Sequence, residues 1–252
     1  MLFGGINFFI RYRFWTGSIK SLWDSTEIKT YWGILLSVIL LIFLSYIKSN
    51  GLEYLHRGEN PYHGMKAFGF HLKDIGFQVI AILTTTGFAT KDINGAYFTA
   101  LAKRLFLVLM VIGGCAGSTG GGFKVIRVAI LTRLVRNRLY RLSSSQLTRA
   151  PLTIDNHVVE DEEIKRIFTI FFMWIMLLII GGGITAFFSD LSGWQSFSGM
   201  FSALGNIGPC YMSVQEMIQL HPVVKIAYIF GMLAGRLEII PVLLIFSKRF
   251  YK

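Results

Sequence analysis

Five stretches of this sequence carry no charged side chain: residues 31–47, 75–90, 105–123, 167–189 and 191–215. A soluble fold needs charges spread over its surface, whereas a bilayer crossing needs roughly 20 apolar residues in a row. With 53% hydrophobic residues and a mean hydropathy of +0.55 over 252 residues, the chain is too apolar for a water-soluble domain. Lipid is its solvent, although the uncharged stretches need not all be full crossings.

The net charge of +11 does not point to nucleic acid, because the basic residues gather beside the ends of apolar segments. Lys124, Arg127, Arg133, Arg136, Arg138, Arg141 and Arg149 follow one another without an acidic residue between them. The positive-inside rule puts that stretch in the cytoplasm. Cys115 and Cys210 lie in apolar surroundings without metal-ligand spacing and read as small buried residues. The five histidines, at 56, 63, 71, 157 and 221, fall in loops or at segment ends and form no catalytic constellation, so no enzyme is expected.

Along the chain, residues 1–30 read as the end of a preceding membrane helix plus a cytoplasmic segment. A crossing is expected over 31–48, then an external loop through Asn60, Pro61 and His71. A short helix from Lys73 to Leu83 follows, too short to cross, and runs into Thr84-Thr85-Thr86-Gly87-Phe88-Ala89-Thr90. Such a re-entrant segment, here 73–90, is tolerated at membrane depth only inside protein or along a water-filled path. An interrupted crossing over 98–142 and a polar cytoplasmic linker over 143–163 complete the first unit. The second repeats the order: a crossing over 164–188, a re-entrant helix and turn over 194–210, and a crossing over 221–250. The predicted fold class is thus all-α integral membrane, two membrane-pore-membrane repeats as in potassium-channel-like pores.

Rings of backbone carbonyls can replace the hydration shell of a dehydrated cation. Successive carbonyls point one way only where a residue tolerates unusual dihedrals, which glycine does. Gly87 and Gly208 are placed for this, with Thr85, Thr86, Asn206 and Ile207 supplying K+ ligands through their carbonyls and Phe88 and Pro209 completing the two turns. The alternative is a pair of tight turns between packed helices.

Inside the third apolar stretch, Gly113, Gly114, Gly117, Gly120, Gly121 and Gly122 surround Cys115, Ala116, Ser118 and Thr119. Glycine disfavours helix by about 1 kcal/mol per residue, so the helix should break here into a loop beneath the turns. A mobile plug and close packing through small residues both remain open. A phosphate loop does not fit, since Phe123 stands where that motif needs lysine. Arg236 and Glu238, two residues apart near the middle of the last crossing, point to different faces. Arg236 is expected to face the pathway, and Glu238 a neighbouring helix.

The segments T-T-T-G-F-A at 84–89, G-G-C-A-G-S-T-G-G-G-F-K-V-I-R at 113–127, G-N-I-G-P at 205–209 and G-R-L-E-I at 235–239 together resemble the third and fourth repeats of the Trk/Ktr/HKT potassium transporter superfamily. The resemblance covers essentially the whole chain. It implies the C-terminal half of a pore-forming subunit of a Trk/Ktr-type uptake system, in which four repeats surround one pathway. It further implies a filter at Thr85–Phe88 and Asn206–Pro209, an intramembrane gating loop at Gly113–Gly122, and an arginine, Arg236, beside that loop. K+ would be the cargo, with no covalent cofactor. The implied setting is a multi-pass protein of the bacterial inner membrane, dimeric, bound to a cytosolic nucleotide-binding regulatory ring. Two repeats cannot enclose a fourfold pore, so the N-terminal half of the same pore or a second copy is required. Other readings are a sodium- and potassium-permeable member and a non-conducting remnant or assembly subunit. Cys210 stands where the family often has glycine.

Overall fold

The computed structural model describes residues 1–50, 61–143, 152–155 and 157–245. Three short helices open the chain, α1 (Leu2–Gly5), α2 (Phe8–Trp15) and α3 (Ser21–Asp24). The first long one, α4 (Thr26–Asn50), starts earlier than the expected crossing at 31. Among the described residues, two helices are long and apolar enough to cross a membrane, α4 and α8 (Asp161–Phe188). At 1.5 Å per residue each exceeds the roughly 30 Å of hydrocarbon. Leu36, Leu40 and Leu44 leave an apolar stripe of α4 exposed at a spacing of four residues, the pattern of a helix facing a non-aqueous solvent.

The helix leading into the first turn, α5, runs from Pro61 to Leu83 without interruption. This corrects the expectation of a helix confined to 73–83 and of a loop reaching His71. Proline suits the first helical position, where its missing N–H costs nothing. The external loop itself lies largely in 51–60, outside the described residues.

The interrupted crossing is two helices, α6 (Ala100–Val111) and α7 (Val125–Ser143), separated by a non-helical segment. Val111 O accepts from Phe123 N–H and Phe123 O from Gly113 N–H, both at 2.9 Å, so the break is pinched shut at its base. Between the two units, β1 (Thr153–Ile154) and β2 (His157–Val158) pair as an antiparallel hairpin. Asp155 sits at its turn with φ 47°. It accepts from the backbone N–H of Thr26 at 2.9 Å and from the Thr26 hydroxyl at 2.6 Å, capping the start of α4.

In the second unit, α9 (Gly193–Gly205) is a short helix opened by a Ser192–Gln195 capping box. It packs between α8 and α11 (Pro222–Leu237). Glycines bring the three helices together: a methyl on Gly182 would collide with the Phe197 ring, and one on Gly235 with the Leu204 carbonyl oxygen. A short helix, α10 (Val214–Gln219), lies between α9 and α11. The last crossing is not continuous as expected. It breaks at Glu238, held at φ 66°, and resumes as α12 (Ile239–Ile245); residues 246–252 lie outside the described ones. Ile207 and Tyr211 of the second unit are buried in the core of the first, beside Tyr31, Val79 and Phe106. The two units are thereby joined, while the second keeps a core of its own around Trp174, Met200, Leu204 and Tyr228.

Candidate functional site

Helices α5 and α9 end in the same backbone motif. Thr85 and Asn206 both take the left-handed conformation, at φ 52° and 54°, and two residues on Gly87 and Gly208 do so at 72° and 106°. The hydrogen bonds match as well. Thr85 N–H donates to Ile82 O and Thr86 N–H to Ala81 O; Asn206 N–H donates to Ala203 O and Ile207 N–H to Ser202 O, at 3.0 to 3.1 Å. This is a Schellman ending, which satisfies the last helix carbonyls. A β-branched residue such as Thr85 rarely adopts this conformation, and such strain persists only where the surroundings enforce it.

Side-chain hydroxyls fix each turn. Thr84 Oγ1 donates to Ile80 O at 2.7 Å and lies 3.0 Å from Thr86 Oγ1. In the second turn Ser202 Oγ accepts from Gly208 N–H at 3.0 Å and Ser198 Oγ from Tyr211 N–H at 2.9 Å. With their N–H groups directed back onto the helices, Thr85, Thr86, Asn206 and Ile207 keep carbonyls that receive no hydrogen bond from the described residues.

The two turns lie against each other. A methyl group on Gly87 would overlap the Ile207 carbonyl oxygen and stand 3.2 Å from Pro209 Cδ, whereas one on Gly208 would meet nothing within 4 Å. Phe88 is exposed and Ile207 buried.

The glycine segment between α6 and α7 packs directly against both turns. A methyl on Gly120 would stand 3.0 Å from Thr85 Oγ1, and one on Gly121 2.9 Å from Gly205 O and 3.1 Å from Asn206 Cβ. Gly117 and Gly122 have positive φ, 68° and 78°, and Gly113 packs on the Gly121 carbonyl. Four other parts of the chain hold this loop. Gly5 O accepts from Cys115 N–H at 2.8 Å, Gly117 O accepts from Phe8 N–H at 3.1 Å, and Gly4 O accepts from the Thr119 hydroxyl at 3.3 Å. Glu27 Oε1 accepts from Ala116 N–H at 2.6 Å. Lys124 donates to Gly120 O within the loop, and Arg236 reaches across from α11 to donate to Thr119 O. Ser118 Oγ accepts from Gly120 N–H at 3.4 Å, and Gly114 O from Val125 N–H at 3.2 Å. The loop is a folded structure held at many points, and among the described residues of the last crossing Arg236 is the one that hydrogen-bonds to it.

Glu238 turns away from Arg236 and pairs with Arg127 of α7, Nη2 to Oε1 2.7 Å. The two charges therefore have different partners, Arg236 the loop and Glu238 helix α7. Asn206 Nδ2 adds a third tie, donating to Met232 O at 3.0 Å. Sequence reading missed Glu27 and Asp155. An acid in the first turn of α4 is the available signal for Glu27. Adjacent Asp155 and Asn156, residue types that tolerate positive φ and favour turns, are the signal for Asp155.

Paired helix ends of matching backbone, packed on an unwound segment and flanked by long apolar helices, are the architecture of a helical membrane protein. The chain belongs to the TrkH family, described as cation transport proteins, whose family model matches residues 1–251. It is similar over its whole length to the Trk system potassium uptake protein TrkH of Salmonella typhimurium, with 28% identity, covering 49% of that protein. An uncharacterized cation transporter of Methanocaldococcus jannaschii is 30% identical over 70% of this chain and 36% of its own length. The crystal structure of the potassium transporter TrkH from Vibrio parahaemolyticus superposes with a TM-score of 0.77 at 26% identity, covering all of this chain and 51% of that one. The chain thus spans about half the length of the relatives it matches, consistent with half of a TrkH-like subunit.

Proposed function

We propose that this chain supplies two of the four repeats of a potassium-conducting pore. The carrying observation is the pair of conformationally equivalent turns in contact, with Thr85, Thr86, Asn206 and Ile207 carbonyls free of protein donors. Such carbonyls are suited to a weakly held alkali cation, and the carbonyl ends of α5 and α9 add negative potential there. The relatives named potassium uptake proteins support K+ as the cargo. The open side of Gly208 is where a further repeat would pack as Ile207 packs on Gly87. That repeat comes from the N-terminal half of the same pore or from a second copy.

The Gly113–Gly122 loop is the gate in this reading, and Arg236 its latch. Withdrawing α11 from the loop would release Thr119, while the pinch between Val111 and Phe123 keeps the ends of the loop in register. The protein sits in the plasma membrane as a dimer, and a cytosolic regulatory ring bears on the basic helix α7 at Arg127, Arg133, Arg136 and Arg138. Liposomes holding the assembled pore test the reading. Potassium flux should fall steeply when Gly87 or Gly208 is replaced by valine, and flux indifferent to both replacements sinks it.

A further inference from the structure

A trough of about 960 Å³ runs along the outside of the first unit where it meets the second. Leu107, Val108 and Val111 of α6 form one wall, Phe197 and Phe201 of α9 the other, and Phe171 of α8 lies along it. At the end remote from the basic helix α7, a smaller hollow of about 350 Å³ adjoins it and shares Arg104, Leu107 and Trp194 with it. The character changes across that junction. The trough is almost wholly apolar, while the hollow adds Lys103, Asn94, Ser192 and Gln195. Arg104 stands at the boundary, exposed, and its guanidinium has no hydrogen bond or ion pair among the described residues. Lys103 beside it gives one bond to Asn94 O at 2.6 Å and has two N–H groups left. The first turn of α9 begins at the same place with Gly193 and Trp194.

We infer that this is a binding site for an anionic glycerophospholipid, with an acyl chain in the trough and the phosphate against Arg104. The order of chemistries along the cavity is that of the ligand: cation and polar groups, then Trp194 at the boundary, then an apolar channel. Tryptophan favours this headgroup depth because its ring is apolar and its N–H polar. The trough lies within the range of about 300–1,000 Å³ typical of sites that enclose a small ligand. An unpaired guanidinium at its mouth selects for negative charge, where a purely apolar partner would leave it unsatisfied. The site borders α6, whose inner end carries the glycine loop, so its occupant also braces the seam between the two units.

Native mass spectrometry of the detergent-solubilised chain, titrated separately with phosphatidylglycerol and phosphatidylcholine of identical acyl chains, tests the assignment. Phosphatidylglycerol should be retained about fivefold more tightly, the expectation for one cation facing an anionic headgroup. Arg104→Gln should abolish that preference, lowering phosphatidylglycerol retention more than phosphatidylcholine retention. Val108→Trp, at a position already exposed, should fill the trough and lower retention of both lipids. Melting curves matching the unsubstituted chain verify that both variants fold. An unchanged preference in Arg104→Gln overturns the proposal, as does unchanged retention in Val108→Trp. A trough occupied by a second copy, shown by Val108→Trp reducing the dimer fraction without affecting lipid, overturns it equally.

Discussion

Gly87 stands so close to Ile207 that a methyl group on its Cα would overlap the Ile207 carbonyl oxygen. The first turn is thereby seated on the backbone of the second, and no side chain but hydrogen fits between them.

Alanine at Gly87 should destabilise the chain by about 2–4 kcal/mol, combining the cost of a positive φ with overpacking against fixed backbone. Alanine at Gly208, where φ is 106° but space is open, should cost only about 1–2 kcal/mol. Comparing the two thermal midpoints in detergent checks the difference, and equal losses would contradict the packing.

Arg127 and Glu238 form a partly exposed pair, with side-chain exposures of 17% and 39%. A double-mutant cycle with Arg127→Gln and Glu238→Gln should give a coupling of about 1 kcal/mol. A coupling near zero would mean that something else holds Glu238 at its unusual φ.

Arg236→Gln removes the bond to Thr119 O and should raise potassium flux through the assembled pore. An increase of about two- to fivefold corresponds to roughly 0.4–1 kcal/mol off the barrier. Flux that is unchanged or lower in a correctly inserted variant argues against a latch.

Asp155→Ala should cost about 1 kcal/mol, the usual loss for a helix cap, and should speed amide exchange at Thr26. Asp155→Asn keeps the turn and one acceptor, so it should lie between. Exchange at Thr26 that ignores both substitutions would show that the hairpin is not the cap.

Glu216 closes the capping box of α10, accepting from the Ser213 backbone N–H at 2.6 Å and its hydroxyl at 2.8 Å. The Ser213 backbone bond, then its hydroxyl, holds the carboxyl below its ordinary range. A depressed carboxylate lends stability above its unfolded pKa, lost as pH falls through the lower folded value. The protection of amides over 213–220, taken relative to their intrinsic exchange, should therefore fall on acidification below about pH 4. Glu216→Gln should flatten that dependence.

The units, their order and the glycine break were legible because each rests on local composition: uncharged runs, glycine density and turn residues. The helical extension of α5 to Pro61 was not, since Gly64, Gly69 and His71 read as a loop when helicity is judged by apolar content. Hydropathy reports the solvent around a segment, and a helix that leaves the hydrocarbon becomes invisible to it. The break at Glu238 was hidden for the opposite reason: Ile239, Ile240 and Val242 continue the apolar run, and the partner of Glu238, Arg127, lies on another helix far away in sequence. At the site, the equivalence of Gly87 and Gly208 was readable from spacing, whereas the αL pairing of Thr85 with Asn206 was not, because threonine gives no signal for that conformation. Nor did the sequence distinguish a loose plug from the many-tethered loop, since its anchors at Gly5, Phe8 and Glu27 are some ninety or more residues away.

The seating of one turn on the next has a direction, glycine of the first to carbonyl of the second. Extended around a closed circle, such overlap resembles roof tiles, each edge hidden under its neighbour. Damage at one glycine would then be felt in the adjoining tile, so a single substitution need not disturb the oxygen atoms of its own residue to ruin the pathway.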